Sequence, residues 1–338
     1  NGAASNSYVK DSPGATLPRP TPGTPSCWAA WMPWKWMVCG CSAPFTNLIM
    51  READLLICIG ARFDDRATGK PSDFCPNART VHVDIDPREL GKLRALELGV
   101  ACDAKRFLEA IGADLPARTR DTWRDRVETL RAVHPLPTAE SAARVLDCIG
   151  TARRPGTIVC TDVGQHQMWV AQRMPFDAPR KLITSGGLGT MGFGLPAAIG
   201  AAVESGAPTL CITGDGSILL NVQELATLAE LALDVTIIVL DNRHLGLVRQ
   251  QQTLFYDARL SASRFERAHD FVAIARSFGI EALHVEPSAA SLEALAAVLA
   301  RPGPRLIHVP IDAREMVLPM VPPGAGNHVM LGATSASF

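Results

Sequence analysis

The sequence carries no surplus of charge of either sign: 33 Lys and Arg stand against 34 Asp and Glu, a formal net charge of −1. A nucleic-acid binder usually presents a basic surface, so that class of partner is not expected. No apolar run approaches the roughly 20 residues that a membrane-spanning helix requires, which argues against a transmembrane protein. The chain opens on Asn1, and no basic-then-apolar leader precedes a cleavage site. Internal repeats of solenoid length are missing as well. The nine cysteines are odd in number, and Cys39-Gly-Cys41 lacks the paired spacing of a zinc site. Cys58, Cys160 and Cys211 sit in apolar, strand-like runs. They read as reduced core residues of a cytoplasmic protein and not as a disulfide framework.

What is present is apolar material: 47% of 338 residues, enough for two domains of ordinary size with real cores. Residues 1–46 stand apart, with seven of the 25 prolines, four of the six tryptophans and only four charged side chains. From Cys27 to Cys41 neither a period of 2 nor one of 3.6 fits. That segment reads either as an aromatic-and-cation cluster that stacks a ligand or, more blandly, as an unstructured or misread stretch.

From Asn47 the pattern becomes α/β. Leu55–Ile59 closed by Gly60 reads as a buried strand, and Thr80–Ile85 as a second one followed by Pro87 opening a helix. Helical spacing covers 104–115 and 120–133, and Pro135-Leu-Pro137 marks a domain boundary. Strands are then expected at Thr157–Thr161, Lys181–Thr184, Thr209–Thr213, Val235–Leu240 and Leu306–Ile311. Between them fall a helix opened by Pro196, one through Val222, Leu225, Leu228 and Leu231, one capped by Asp270 and ended by Gly279, and one capped by Ser288 or Ser291. Strands alternating with helices predict parallel sheets covered on both faces.

The most informative chemistry is Gly214-Asp215-Gly216-Ser217 at one strand end and Asp241-Asn242 at another, separated by one βαβ unit. A right-handed crossover puts both ends on the same sheet edge, so Asp215 and Asn242 converge as hard oxygen ligands suited to Mg²⁺. The flanking glycines admit a diphosphate, and the following helix offers it amides and a positive dipole end. Asp-Gly also marks an ordinary turn. Upstream, Gly187-Leu-Gly189-Thr-Met-Gly192 formally satisfies a dinucleotide fingerprint, although Gly194-Leu-Pro196 fits a tight helix start equally well. Arg62, Asp64, Asp65 and Arg66 could be a solvated charge run, His166 a polar residue on a helix start, and Met191 packing.

The Gly-Asp-Gly…Asn pair resembles the cofactor motif of thiamine-diphosphate enzymes. Ile183-Thr-Ser-Gly-Gly-Leu-Gly-Thr-Met-Gly-Phe-Gly-Leu-Pro-Ala-Ala is more specific and resembles the catalytic subunit of acetolactate synthase. So do Thr161-Asp-Val-Gly-Gln-His-Gln-Met-Trp169, Leu245-Gly-Leu-Val-Arg-Gln250 and Leu318-Pro-Met-Val-Pro-Pro-Gly-Ala325. Ala61-Arg-Phe-Asp-Asp-Arg-Ala-Thr-Gly-Lys70 and Val81-His-Val-Asp-Ile-Asp-Pro87 resemble that family's central, FAD-binding domain.

The resemblance runs from about Asn47 to Leu331. It implies a partial Rossmann-like central domain over 47–118, a helical linker over 119–137, and a complete thiamine-diphosphate domain with a C-terminal tail over 138–338. Val163, Gly164, Gln165, His166, Met191, Gly214, Asp215, Gly216, Ser217, Asn242 and Leu247 would bind thiamine diphosphate. Asp215, Asn242 and the carbonyl of His244 would hold Mg²⁺. Gly60, Ala61, Arg62, Asp64, Arg66, Asp84, Ile85 and Asp103 would bind a structural FAD, and Asp84 has independent support as an acid at a strand end.

The implied reaction decarboxylates pyruvate and condenses it with a second 2-oxoacid, giving 2-acetolactate or 2-aceto-2-hydroxybutyrate for branched-chain amino acids. The implied partners are a homodimer or larger oligomer and a regulatory small subunit.

Four departures qualify the resemblance. The family's activating glutamate lies in a pyrimidine-binding domain that these residues do not include, so no catalytic residue is assigned and the chain alone is expected to be inactive. The family's Gly-Met-His-Gly segment is missing around Val38–Cys41. Trp36-Met-Val-Cys-Gly40 can be encoded so that another reading phase nearly spells that segment, hence the expectation that residues 1–39 are a frame-shifted reading. Gln251 replaces a usual Trp, which opens the second-substrate preference, and Cys102 replaces a usual Gly. Two rivals remain: another thiamine-diphosphate carboligase of catabolic or glyoxylate type, and a non-catalytic cofactor- or subunit-binding module.

Overall fold

The computed structural model describes residues 8–9, 43–112, 115, 119–137, 141–176 and 178–332. The chain divides into two compact units, one built from residues up to Pro137 together with the tail from Leu318, the other from Thr138–Val317. The segment expected to be frame-shifted lies outside the described residues, apart from Tyr8 and Val9.

In the first unit the strands are β1 (Tyr8–Val9), β2 (Leu55–Ile59), β3 (Arg79–Asp84) and β4 (Leu98–Ala101), all parallel in the order β1-β4-β3-β2. Alternate side chains of β2 go to opposite faces, as the period-2 pleat demands. Leu55, Ile57 and Ile59 join Val81, Val83 and Phe107 on one face, and Leu56 joins Met50, Phe63, Phe74 and Cys75 on the other.

The unit departs from the sequence reading in four respects. Helical structure starts at Pro44, ahead of Asn47, in a helix over Pro44–Arg51. Pro87 opens successive turns instead of a helix: Glu89 and Leu90 donate to carbonyls three residues back, and the Asp86 carboxylate takes the Arg88 amide. The expected linker is an integral helix, Asp121–Val133, whose Leu130 packs on Leu48 and Ile49. The tail belongs to this unit, since Lys70 N–H donates to Ala325 O at 2.9 Å and Asn327 Nδ2 to Ala67 O at 2.9 Å.

The second unit holds β5 (Ile158–Thr161), β6 (Leu182–Thr184), β7 (Thr209–Gly214), β8 (Val235–Asp241), β9 (Glu281–His284) and β10 (Arg305–Pro310). All six are parallel in the order β6-β5-β7-β8-β10-β9. Every residue of β7 and β8 is buried, the signature of a sheet with helices on both faces. Cys160 and Cys211 are register partners on β5 and β7, and both thiols are fully buried in the core with Leu195, Ile199 and Leu228. Asp270 caps the Phe271–Ser277 helix by accepting from Ala273 N–H at 2.8 Å, and Ser288 caps Ala289–Leu299. The chain runs from β5 outward to β6, then returns across β5 to β7. The direction reverses between β5 and β7, and a crevice opens outside the carboxyl ends of the strands at such a point.

Candidate functional site: a cofactor cavity at the strand ends

A cavity of about 170 Å³ occupies that crevice. Its walls come from the strand ends and the connections leaving the sheet: Val163 to His166 after β5, Gly189 and Met191 after β6, Gly214 to Ser217 at the end of β7, and Asn242 with His244 to Val248 after β8. Val163, Gly164, Gln165, His166, Met191, Gly214, Asp215, Gly216, Ser217, Asn242, His244 and Leu247, spread over 85 positions of sequence, therefore meet in one place. Gln251 does not line it; it is half-buried on the Gly246–Phe255 helix.

The β5 connection starts the Gln165–Arg173 helix from Gly164, which has no side chain to cap the first turn. The helix dipole therefore presents its positive end to the cavity, an arrangement suited to an anion. A Cβ at Gly164 would stand 2.9 Å from His166 Cε1, so the ring needs glycine there. His166 is 5% exposed, and its Nε2 has no hydrogen-bond partner. Burial pulls its pKa down to about 4, against the opposing charge and backbone of Asp162. The imidazole is neutral at physiological pH, with a buried nitrogen awaiting a partner.

Asp215 opens a short helical turn, Asp215–Ile218, and is 4% exposed. Burial, followed by the neighbouring Asp241 carboxylate, pushes its pKa up to about 8. A cation beside it would reverse that shift. For Asp241, burial alone would raise the pKa. The His308 hydrogen bond at 2.9 Å and the Arg243 amide at 2.9 Å outweigh burial and hold it below the usual carboxylate range.

Asn242 lies one residue past β8, and its amide orientation is fixed from behind. Asn242 Nδ2 donates to Gln165 Oε1 at 3.2 Å, while Gln165 Nε2 donates to Gln250 Oε1 at 2.8 Å and to Glu315 O at 3.0 Å. The Gln165 side chain thus holds Asn242 in addition to lining the cavity. An Asp carboxylate, an Asn amide oxygen and a main-chain carbonyl form an all-oxygen donor set, the choice of Mg²⁺ over soft metals. The unpartnered His166 nitrogen, the glycine walls and this donor set fit a diphosphate with a divalent cation.

Asp162 was not singled out by sequence reasoning. Its buried carboxylate accepts from Val163 N–H at 2.9 Å, Gly192 N–H at 2.8 Å, Gly194 N–H at 3.2 Å and Thr213 Oγ at 3.4 Å. It latches the glycine-rich turn bearing Met191 onto the end of β5. An acid at a strand end, thirty residues before a run of glycines whose amides need acceptors, is the signal that could have found it. Gln250 was passed over too, because its partners Gln165 and Val317 are 85 and 67 residues away.

In the first unit the FAD candidates gather at the carboxyl ends of β2, β3 and β4. Gly60 follows β2 with φ +62°, Asp84 ends β3, and Asp103 follows β4. Asp64 caps a short helix through Ala67 N–H at 3.0 Å, and Asp103 accepts from Lys105 N–H at 2.9 Å. Asp84 accepts from Asp86 N–H at 2.9 Å, and Ile85 is 74% exposed. Arg62, paired with Asp64 at 3.4 Å, is exposed, as are Ala61 and Arg66.

A parallel sheet whose strand ends gather Gly164, His166, Asp215 and Asn242 around one cavity fits the cofactor domain of a thiamine-diphosphate enzyme. Comparisons agree: residues 162–309 match the thiamine pyrophosphate enzyme C-terminal TPP binding domain, and residues 34–111 the central domain of the same enzymes. The chain is 47% identical over 293 residues to the acetolactate synthase isozyme 1 large subunit of Escherichia coli, covering 85% of this chain and 52% of that protein. It is 43% identical over 291 residues to the isozyme 2 large subunit, covering 84% of this chain and 53% of that one. To the probable acetolactate synthase large subunit of Methanocaldococcus jannaschii it is 40% identical over 294 residues, 82% of this chain and 49% of that one. The chain belongs to the acetolactate synthase large-subunit family of thiamine-diphosphate enzymes, and it spans about half the length of these relatives.

Proposed function

We propose that the chain is the cofactor-binding portion of an acetolactate synthase catalytic subunit, acting on pyruvate and a second 2-oxoacid in branched-chain amino-acid biosynthesis. The observation that carries this reading is the strand-end cavity where Asp215, Asn242 and His244 meet the partnerless nitrogen of His166. Thiamine diphosphate, when bound, supplies the carbanion chemistry that lets one 2-oxoacid lose CO₂ and join another. Asp215, Asn242 and the His244 carbonyl would hold Mg²⁺, and the amides of Gly216 and Ser217 would donate to phosphate. Neutral His166 would hydrogen-bond the diphosphate end beside Val163, Gly164 and Gln165. Met191 and Leu247 would give the rings an apolar seat and keep water out, strengthening every polar contact inside.

FAD is proposed for the first unit, held by Gly60, Ala61, Arg62, Asp64, Arg66, Asp84, Ile85 and Asp103. Their gathering at one sheet edge and the exposed apolar Ile85 support it. A homodimer and a small regulatory subunit are the proposed partners. The relatives' designation as large subunits supports the latter, and Leu188, 90% exposed, supports a subunit contact. No helix among the described residues is long and apolar enough to cross a membrane, and the proposed location is the cytoplasm.

Calorimetric titration with thiamine diphosphate tests the reading. Binding should require Mg²⁺ and vanish in Asp215→Ala; binding equally tight without a divalent cation would overturn the site. The 338 residues by themselves are expected to form no acetolactate from pyruvate with thiamine diphosphate, Mg²⁺ and FAD supplied. Acetolactate in that assay would show that they hold a complete active site.

A further inference from the structure

Behind the cation ligands a line of polar side chains runs from the cavity to the surface. β10 lies beside β8, with His308 and Val239 as register partners. From there His308 Nε2 reaches Asp241 Oδ2 at 2.9 Å. The other oxygen, Asp241 Oδ1, accepts from Arg243 N–H at 2.9 Å, and the Asp241 carbonyl accepts from Ile311 N–H at 2.9 Å. Asn242 Oδ1 in turn accepts from His244 N–H at 3.0 Å. Arg243 takes the left-handed backbone conformation, φ +57°, which costs energy for a residue with a Cβ. The Asp241 carboxylate shapes the turn that makes this conformation worth adopting. That turn delivers the Asn242 side chain and the His244 carbonyl to the cavity wall.

On its outer side His308 is held in turn. Its Nδ1 lies 2.9 Å from His284 Nδ1, and His284 Nε2 lies 2.7 Å from Glu286 Oε1. Phe271 flanks the His308 ring with centroids 5.8 Å apart. In its contact with Asp241, His308 Nε2 is the donor, since an ionised carboxylate can only accept.

We propose that His308 is a positioning residue for the cation, acting through Asp241 to fix the Asp241–His244 turn, with His284 and Glu286 fixing His308. This inference rests on the magnesium and thiamine-diphosphate reading above. Direct outer partners of metal ligands are commonly worth about a ten- to a hundredfold in metal affinity, and His308 stands one contact further out, behind Asp241.

The test is an Mn²⁺ titration followed by electron paramagnetic resonance, with thiamine diphosphate present and the whole chain as the sample. His308→Ala is expected to weaken Mn²⁺ about tenfold, the low end of that range. His308→Gln, which places an amide N–H near the lost Nε2, is expected to recover most of that loss. Unchanged Mn²⁺ affinity in His308→Ala overturns the proposal. So does an equal loss in both variants, which is the mark of a merely structural side chain. If His308→Ala does not fold, His284→Ala removes only the outer tie. It is expected to weaken Mn²⁺ several-fold, and unchanged affinity there is also fatal. Wild-type chain that binds no Mn²⁺ in the presence of thiamine diphosphate overturns the cofactor reading itself, a different failure from an insensitive variant.

Discussion

Asp162 touches neither the proposed cation nor the mouth of the cavity, yet its removal should be felt at both. Its carboxylate, 1% exposed, gathers three amides and a hydroxyl within 3.4 Å. In Asp162→Ala the Gly192 and Gly194 amides lose their acceptor in a buried place, at about 1–3 kcal/mol each. Adding the weaker losses at Val163 and Thr213 brings the total to roughly 4 kcal/mol. For a unit of this size that corresponds to a fall in Tm of about 8–16 °C. Asp162→Asn keeps one acceptor oxygen but turns an NH₂ toward remaining donors, so roughly half the loss is expected. Gly192 has φ +88°, and a Cβ there would meet Asn221 Nδ2 at 2.8 Å, so the latched turn needs glycine at this point. Met191, beside it, should then leave its seat, and thiamine-diphosphate affinity should fall in both variants along with Tm. Thermal unfolding by circular dichroism and calorimetric titration measure the two quantities. If Asp162→Ala melts within about 2 °C of wild type, or binds the cofactor equally well, the latch is not what orders the turn.

Asp215→Asn should trade function for stability. The carboxyl pKa, near 8 in the cation-free fold, lies above the unfolded value, so the fold retains a proton that the unfolded chain releases. Cation-free stability should therefore fall as pH rises from about 4 to 8, and Asp215→Asn should abolish that slope and melt higher at pH 8, while losing Mg²⁺-dependent stabilisation. Melting curves at pH 5 and pH 8, with and without Mg²⁺ and thiamine diphosphate, decide it; equal slopes in the two proteins refute it. Arg305, 2% exposed at the far end of β10, donates to the carbonyls of Arg301 and Pro302 at 2.6 Å each. Arg305→Met should cost roughly 3 kcal/mol of stability. Cofactor affinity in the folded protein should be unmoved, which separates it from Asp162.

Much of the second unit was legible because its strands announce themselves. Val235–Asp241 and Thr209–Gly214 are rich in apolar and β-branched residues and end at turn residues, and the site residues follow them directly. Strand β9, Glu281–His284, went unread because its burial is partial and its composition is mixed. Strand β4, Leu98–Ala101, contains a glycine, a poor strand former, where a Cβ would stand 3.2 Å from Leu96 Cδ1. Pro87 misled because a proline at a strand end suits a turn as well as the first turn of a helix. Around the cavity, Asp215 and Asn242 at strand ends could be read from spacing, whereas the contacts that Gln165, Gln250 and His308 make are with partners brought close only by the sheet order. The tail's return to the first unit depends on Asn327 and Ala325 meeting Ala67 and Lys70, contacts that no local pattern encodes.

The buried thiols carry a consequence of a different kind. Cys75 in the first unit and Cys160 in the second are sealed from solvent, and burial holds both thiol pKa values up at about 12. Neither offers a thiolate to an alkylating reagent while its surroundings stay closed. Each unit thus keeps its own clock: the rate at which its cysteine is tagged at fixed pH counts how often that unit opens, peptide by peptide, by mass spectrometry. Cofactor that seats only at the strand ends of the second unit should slow one clock and leave the other running at its former pace.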